Sequence, residues 1–261
     1  MKTFNYHSAK DVKEAAKLAS SNSAFLAGGM TTIPSMKLGL ATYKDLIDIK
    51  GIKKLSGIKV SGKSLIIGSI TKHAEVANSK DVRKSIPSLS ALAEGIGDPQ
   101  VRNKGTIGGS IANNDPSADY PSACIALNAI IHTNNRKVDA DKFFRGMFET
   151  CLKKGEIIEA VEFKIPQKSN YQKHPNPASR YAIVGVYVAK FKDGVNVAVT
   201  GAKSCVYNDK DLSDALNSNF STSSISSVKL KSSDMNSDIH ASSEYRASLV
   251  ITQTKKAVEA C

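Results

Sequence analysis

Apolar residues in the first fifty positions change from helical spacing to short continuous runs. After a capping pattern formed by Ser8 and Asp11, apolar residues recur at helical spacing over residues 12–19, which predicts a first helix. The short apolar runs at residues 25–27 and 46–49 predict strands. This part of the chain therefore predicts a small unit of the β-α-β type.

Two adjacent glycines, Gly28 and Gly29, follow the first predicted strand and precede a helix that Thr31 or Thr32 can cap before Pro34. Glycines let main-chain amides approach an anion closely, and the first free amides of a helix add the positive end of its dipole. An ordinary strand-turn-helix corner has the same residues, so the pair alone does not decide between a corner and a phosphate site.

Residues 57–64 match the phosphate-loop pattern G-x-x-x-x-G-K-[ST] letter for letter. That loop requires a buried strand before its first glycine and a helix at its end, whereas an apolar, β-branched run follows at residues 65–67. We therefore predict a hairpin of residues 58–60 and 65–67, and the nucleotide-triphosphatase interpretation is the weaker one.

The passage from residue 95 to residue 121 keeps neither helical nor strand spacing and predicts a long loop. A loop of this length in a compact domain is usually functional or disordered, and the apolar residues within it argue against disorder. It contains a second glycine pair, Gly108 and Gly109, followed by the hydroxyl of Ser110. Two such turns together could hold a diphosphate from two sides.

The regions around this passage predict further elements. Helices are predicted to start at Thr71 and Pro87, and strands are predicted at residues 130–132, near Val138 and at residues 157–165.

An aromatic patch of Phe143, Phe144, Met147 and Phe148 is more typical of core than of a cofactor contact. The polar segment 167–177 predicts a domain boundary or an exposed loop.

The last ninety residues predict a small antiparallel sheet with helices. A strong hairpin signal joins residues 181–188 to residues 195–199 through an Asp-Gly turn. The remaining predictions are a third strand at 205–207, a short helix at 212–216, a mobile serine-rich connection at 218–233 and a final helix at 243–260.

Composition is typical of a globular protein, with 41% hydrophobic residues, but the net charge is +12. The lysines are dispersed, aromatics make up 6% and tryptophan is absent, so we interpret the charge mainly as a solvated surface. The four cysteines are far apart and predict no metal site. The N-terminus lacks an apolar signal core and no run reaches membrane-spanning length, so we expect a cytoplasmic protein without a membrane span.

The resemblance to one family rests on three stretches, residues 27–32, 97–103 and 106–110, and on Asp119. With them, the chain resembles the flavin subunit of the molybdenum hydroxylases, the medium chain of the carbon monoxide, aldehyde and xanthine dehydrogenase group, over nearly its full length. Two spaced Gly-Gly motifs in this order are far more specific than either motif alone.

The resemblance implies an α+β protein with the two-subdomain FAD-binding fold of the molybdopterin dehydrogenase flavin subunits. The FAD-binding domain would cover residues 1–166, with subdomains of about 1–53 and 54–166. A C-terminal α+β domain with a small antiparallel sheet would cover residues 167–261.

The resemblance also implies the binding residues. The two glycine segments would surround the FAD diphosphate, Asp119 would hydrogen-bond the ribose or adenosine part, and Lys173 would lie near the flavin, which Tyr181 would cover. Ile96 and Ile158 would be apolar neighbours of the flavin. The full set is Leu26, Ala27, Gly28, Gly29, Met30, Thr31, Thr32, Ile33, Ile96, Thr106, Ile107, Gly108, Gly109, Ser110, Asp119, Ile158, Lys173 and Tyr181.

The residues taken alone leave simpler interpretations open. Asp119 could cap the helix that follows it, Lys173 could be a solvated lysine and Tyr181 a strand tyrosine. Met30 and Ser110 also depart from the commoner Thr and Asn of the family, and Arg180 stands where an acidic residue is common. None of the five histidines has metal or triad spacing, so no chemistry is assigned to them.

The function implied by the resemblance is electron transfer without a catalytic side chain of this chain. A large molybdopterin-containing subunit would oxidise the substrate, and a small [2Fe–2S] subunit would pass electrons to FAD and onward to NAD or another acceptor. The alternative from composition is a basic, non-enzymatic binding or scaffold protein for nucleic acid or an acidic partner.

Overall fold

The computed structural model describes residues 1–261, which form mixed helices and strands in four sheets. The strands are β1 (Asn5–Ser8), β2 (Ser23–Leu26), β3 (Asp45–Asp48), β4 (Ile58–Ser61), β5 (Ser64–Gly68), β6 (Ile130–Thr133), β7 (Lys137–Asp139), β8 (Phe144–Gly146), β9 (Glu149–Thr150), β10 (Ile158–Lys164), β11 (Lys168–Pro175), β12 (Ala182–Phe191), β13 (Gly194–Thr200) and β14 (Tyr207–Asn208).

The helices are mostly short. They are α1 (Val12–Leu18), α2 (Thr32–Lys37), α3 (His73–Asn78), α4 (Lys80–Ser85), α5 (Pro87–Glu94), α6 (Pro99–Arg102), α7 (Ile107–Asn113), α8 (Tyr120–Ala126), α9 (Ala140–Phe143), α10 (Lys210–Ser218), α11 (Thr222–Ile225) and α12 (Ser243–Glu259). No helix combines the length and the apolar content needed to cross a bilayer.

The first sheet is parallel, with strand order β1-β3-β2, and confirms the predicted β-α-β unit. Its parallel strands are connected by α1 and α2, because parallel neighbours need a crossover. The predicted capping pattern is wrong in detail: Ser8 ends β1, and the Asp11 carboxylate accepts the hydrogen bond from the Glu14 amide at 2.8 Å. Thr31 occupies the N-cap position of α2 without a side-chain hydrogen bond.

The second sheet has the order β4-β5-β10-β6-β7 and packs on α3, α5, α7 and α8. Residues 57–64 belong to the β4–β5 hairpin, in which Ser61 pairs with Ser64. The phosphate-loop interpretation is therefore wrong, because Ser64 begins a strand instead of a helix. The helix predicted from Thr71 begins at His73, since the Thr71 hydroxyl bonds the backbone of Gly57.

The third sheet has the order β11-β12-β13-β14 and is covered by α10 and α12. The Asp-Gly hairpin is confirmed, but residues 168–175 form strand β11 and are not an exposed loop. Polar residues form this strand because it pairs with β12 along its whole length. Arg246 on α12 is buried and donates to the carbonyls of Ile183 and Gly201, which fixes the last helix to the sheet.

Two further expectations are corrected. The long loop expected at residues 95–121 contains α6, α7 and the start of α8, because glycines and prolines in this passage hide the helical spacing of its apolar residues. In the aromatic patch, Phe143 and Phe144 are core, whereas Met147 and Phe148 are more than half exposed at the β8–β9 turn.

Candidate functional site

A cavity of about 480 Å³ lies where the end of β2, the segment 96–110 and the residues before β12 meet. It brings together the first glycine pair and Gly109 of the second pair, although the two pairs are separated by about eighty positions. The predicted site residues that line it are Ala27, Gly28, Gly29, Met30, Thr31, Thr32, Ile96, Thr106, Gly109, Ser110, Asp119 and Tyr181.

The first glycine pair is a turn that leaves backbone amides unpaired. Gly29 has a φ of 73°, in the left-handed region that favours glycine. A Cβ on Gly28 would lie 2.1 Å from the carbonyl oxygen of Lys104, so the two backbones are in direct contact. The amides of residues 28–31 donate no hydrogen bond within the chain. Consecutive unpaired amides at a cavity are suited to binding an anion.

The second glycine pair is the first turn of α7 and not a free turn as expected. Thr106 is the N-cap, and its hydroxyl accepts from the Gly109 amide at 3.2 Å. The Gly108 amide donates to the carbonyl of Ser69 at 2.8 Å, and a Cβ on Gly108 would lie 2.5 Å from the Ser69 Cβ. The absence of a side chain at Gly108 lets α7 pack closely on Ser69, and its absence at Gly109 leaves the cavity surface open.

A second cavity of about 720 Å³ lies on the other side of the first glycine turn. It shares Gly28, Gly29, Met30 and Thr106 with the first cavity, so the turn forms a wall common to both. Four lysines line it against one acidic residue, which gives this end of the cleft a positive charge. These residues are Lys50, Lys53, Lys72, Lys104 and Glu75.

Three cations fix the backbone that presents Ile96 to the first cavity. Lys173, Arg102 and Arg180 donate to the consecutive carbonyls of residues 95–97, at 2.8, 2.9 and 3.1 Å respectively. Arg180 does this from a left-handed backbone with a φ of 63°. This loop is therefore held by side chains from both sides of the cavity.

Asp119 is a buried residue at the N-cap position of α8, but its carboxylate makes no hydrogen bond to the helix, so the interpretation of its side chain as a helix cap is wrong. Its Oδ1 accepts from the Tyr171 hydroxyl at 2.5 Å and lies 3.0 Å from the Lys173 ammonium. Burial raises the pKa of Asp119, and Lys173 and Tyr171 oppose that rise. Lys173 is not a solvated lysine, because its side chain is only 10% exposed and lies behind Asp119.

Tyr181 lies immediately before β12 and is half exposed beside the cavity, so it is not a strand tyrosine. Burial and the neighbouring carboxylates of Asp115 and Asp119 raise the pKa of its phenol, which stays protonated at neutral pH. Burial also raises the pKa of Asp115. The ring offers a flat apolar surface at the cavity mouth.

His73 is a cavity residue that the sequence analysis left unassigned. It is buried, its ring centroid lies 5.4 Å from that of Tyr120, and its Nδ1 has no hydrogen-bond partner. Burial, and secondarily Arg102, lowers the pKa of His73 to about 4, so the imidazole is neutral at pH 7. Spacing gave no signal for His73, because its contact with Gly105 joins distant parts of the chain.

The remaining predicted residues lie outside the first cavity. Leu26 and Ile107 are in the core, and Ile33 lines the second cavity. Gly108 and Ile158 line a third, smaller cavity of about 100 Å³ behind the second glycine pair. Tyr171 and Arg102 are polar site residues that the sequence analysis missed, and their hydrogen bonds across the fold explain why.

The cleft has the features that a dinucleotide needs. Unpaired amides and lysines suit a diphosphate, glycine surfaces leave room for it, and Ile96 and Tyr181 provide apolar surface at the other end. The residues present therefore fit FAD.

Comparison with known proteins agrees with this geometry. Residues 2–168 match the family model described as the FAD binding domain in molybdopterin dehydrogenase. The chain is 37% identical over 207 residues to the carbon monoxide dehydrogenase medium chain of Hydrogenophaga pseudoflava. The matched residues are 75% of this chain and 71% of that medium chain. It is 32% identical to the nicotine 6-hydroxylase medium subunit of Paenarthrobacter nicotinovorans, over 94% of this chain and 92% of that one.

A solved structure of carbon monoxide dehydrogenase from Hydrogenophaga pseudoflava superimposes with a TM-score of 0.90 and 30% identity, covering 99% of this chain and 97% of the other. The α+β fold expected from the sequence is confirmed by this match. The chain therefore belongs to the FAD-binding family of the molybdopterin dehydrogenases, as a flavoprotein oxidoreductase subunit whose cofactor is FAD.

Proposed function

We propose that this chain is the electron-transfer subunit of a molybdenum hydroxylase. It would receive electrons from the [2Fe–2S] clusters of a small partner subunit, downstream of a large molybdopterin-containing subunit, and deliver them to NAD or another acceptor. FAD supplies the redox chemistry when bound, and the protein supplies binding, orientation and electrostatics. The observation that carries the proposal is the wall of unpaired amides at residues 28–31, of which residues 28–30 line both cavities.

The two cavities support an extended position for the cofactor. We propose that the diphosphate lies against the amides of residues 28–31 and the surface of Gly109, at the wall where the cavities meet. The flavin would then lie between Ile96 and Tyr181, and Asp119 at the same end of the cavity would face the flavin and not the ribose or adenosine part that the resemblance implies for it. The lysine-lined cavity would hold the adenosine end, where its positive charge also balances the diphosphate.

A charge placed at the shared wall tests this assignment. Met30 lines both cavities and is 38% exposed, so Met30→Asp should fold normally while its carboxylate repels the diphosphate. We expect the wild-type chain to retain FAD absorbance after reconstitution, and we expect Met30→Asp to bind FAD at least about tenfold more weakly, since 1.4 kcal/mol of repulsion has that effect. Met30→Leu is the matched control and should bind as the wild type does.

Fluorescence titration with FAD provides the measurement. A wild-type chain that binds no flavin would contradict the proposed function, and equal affinities of Met30→Asp and wild type would contradict the position of the diphosphate.

Co-purification tests the proposed partners separately. When the chain is affinity-purified from its native source, we expect it to bring down a molybdenum-containing large chain and an iron–sulfur small chain. The acceptor is tested by adding NADH to the flavin-loaded chain under anaerobic conditions, because bleaching of the flavin spectrum reports exchange of electrons with a pyridine nucleotide. Isolation of the chain with neither partner would count against the subunit assignment.

A further inference from the structure

We propose that Tyr171 is a positioning residue of this site, which acts through Asp119 to set the charge beside a bound flavin. The inference rests on the proposed function, since it concerns the end of the cavity where Ile96 and Tyr181 would hold the flavin. It concerns a side chain that does not line the cavity itself.

Alternation along β11 places three polar side chains on one face of the third sheet. Ser169 and Tyr171 have their hydroxyls, and Lys173 its ammonium, directed toward α5 and the start of α8. The Tyr171 hydroxyl donates to Asp119 at 2.5 Å, and the Lys173 ammonium lies 3.0 Å from the same carboxylate oxygen. Asp119, which is buried, thus has two donors on its inner side and the cavity on its other side.

The fold makes specific room for the Tyr171 hydroxyl. Gly185 on β12 faces it, and a Cβ at that position would lie 2.3 Å from the Tyr171 oxygen. The ring packs beside Tyr187, with 5.9 Å between the centroids. The paired strands β11 and β12 therefore fix the position of the Tyr171 hydroxyl, and a fixed hydroxyl can hold the Asp119 carboxylate in place.

The consequence for charge follows from the two donors. Together they favour the ionised form of Asp119, whose charge balances that of Lys173. The other titratable groups that face Asp119 are the phenols of Tyr120 on α8 and Tyr181 at the cavity. Loss of the Tyr171 donor favours protonation of Asp119, which leaves the Lys173 ammonium unbalanced. A more positive site stabilises reduced flavin, which carries more negative charge.

The test compares two isosteric variants of the full chain loaded with FAD. Tyr171→Phe removes the donor to Asp119, whereas Tyr187→Phe removes a buried hydroxyl of the same sheet face that bonds Ser88 at 2.6 Å. We expect Tyr171→Phe to raise the flavin midpoint potential by about 30 mV, equivalent to a tenfold change in the two-electron equilibrium constant. Tyr187→Phe should leave the potential unchanged. Equilibration with a redox dye measures both.

A second measurement asks whether the effect passes through Asp119. The change in flavin midpoint potential caused by Tyr171→Phe should disappear in an Asp119→Asn background, because residue 119 then carries no charge for the Tyr171 hydroxyl to stabilise. Equal potentials for the two Phe variants, or an unchanged effect in the Asp119→Asn background, would overturn the inference while leaving the proposed function intact. A wild-type chain without flavin would contradict the proposed function first.

Discussion

The two Gly-Gly pairs are the same dipeptide in two different backbone structures. Gly28 and Gly29 form a left-handed turn whose neighbouring amides are unpaired, whereas Gly108 and Gly109 begin helix α7 with their amides already bonded. The first pair can therefore supply hydrogen-bond donors to a ligand, and the second supplies mainly space. Glycine marks both walls of the cleft for different physical reasons.

The largest expected effect is at the backbone contact between the two walls. Gly28→Ala would place a Cβ 2.1 Å from the Lys104 carbonyl oxygen, so the walls must separate. We expect a loss of about 3 kcal/mol in the free energy of unfolding, measured by urea denaturation, together with loss of FAD binding. Gly51→Ala is the control, because nothing lies within 4 Å of its Cβ, and it should change stability by less than about 0.5 kcal/mol.

The second wall has a titratable group behind it, and this predicts a dependence on pH. Burial and Arg102 lower the pKa of His73 to about 4 in the folded chain. Below about pH 6.5 the unfolded chain therefore binds a proton at His73 that the folded chain does not bind. The free energy of unfolding should fall between pH 7 and pH 5, with about 2 kcal/mol of the loss due to His73. His73→Phe should remove that part, and equal pH slopes for both proteins would contradict it.

A smaller effect on stability distinguishes the cost of a left-handed backbone from the cost of a close contact at Gly29. Gly29 and Gly39 have similar φ angles of 73° and 76°, but only Gly29 has close neighbours. Gly39→Ala should therefore cost only the left-handed penalty of about 1 kcal/mol, and Gly29→Ala somewhat more because the Ile33 side chain must move. Equal melting midpoints for the two variants would show that the contact adds nothing.

The smallest predicted effect compares the two hydroxyls beside the glycines. Thr106 caps α7 through the Gly109 amide, whereas Thr31 makes no side-chain cap to α2. Thr106→Val should lower the free energy of unfolding by about 1 kcal/mol, and Thr31→Val should leave it nearly unchanged. The difference between their urea midpoints measures the cap, and a larger effect of Thr31→Val would reverse the comparison.

The sequence predicted elements that have local signals. The Asp193-Gly194 turn, the proline that begins α5 and the glycine turn after β2 all depend on neighbours in the chain, and the structure confirms them. Strand β11 was missed because its pairing with β12 and its polar contacts stabilise it, and these leave no apolar alternation. Helix α7 was missed because its first turn contains two glycines, which are typical of a turn, and because only Ile107 and Ile111 mark its apolar face.

The site residues divide in the same way, into those with a local sequence signal and those without one. The family pattern led to both glycine segments and to Asp119, which the fold brings to one cavity. The sequence analysis assigned no role to Tyr171, His73 and Arg102. Each of them acts through a contact with a residue distant in the chain or with a backbone carbonyl. Spacing carries no information about such contacts.

The direct approach of Gly28 to the Lys104 carbonyl limits how this cleft can change during evolution. Where two walls meet through side chains, substitution can widen or narrow a binding site in small steps. Here the separation is set by backbone atoms, so it has no adjustable element. Variation in cofactor affinity must then come from the lining positions, such as Met30, Ser110 and Arg180, while the width of the cleft stays constant.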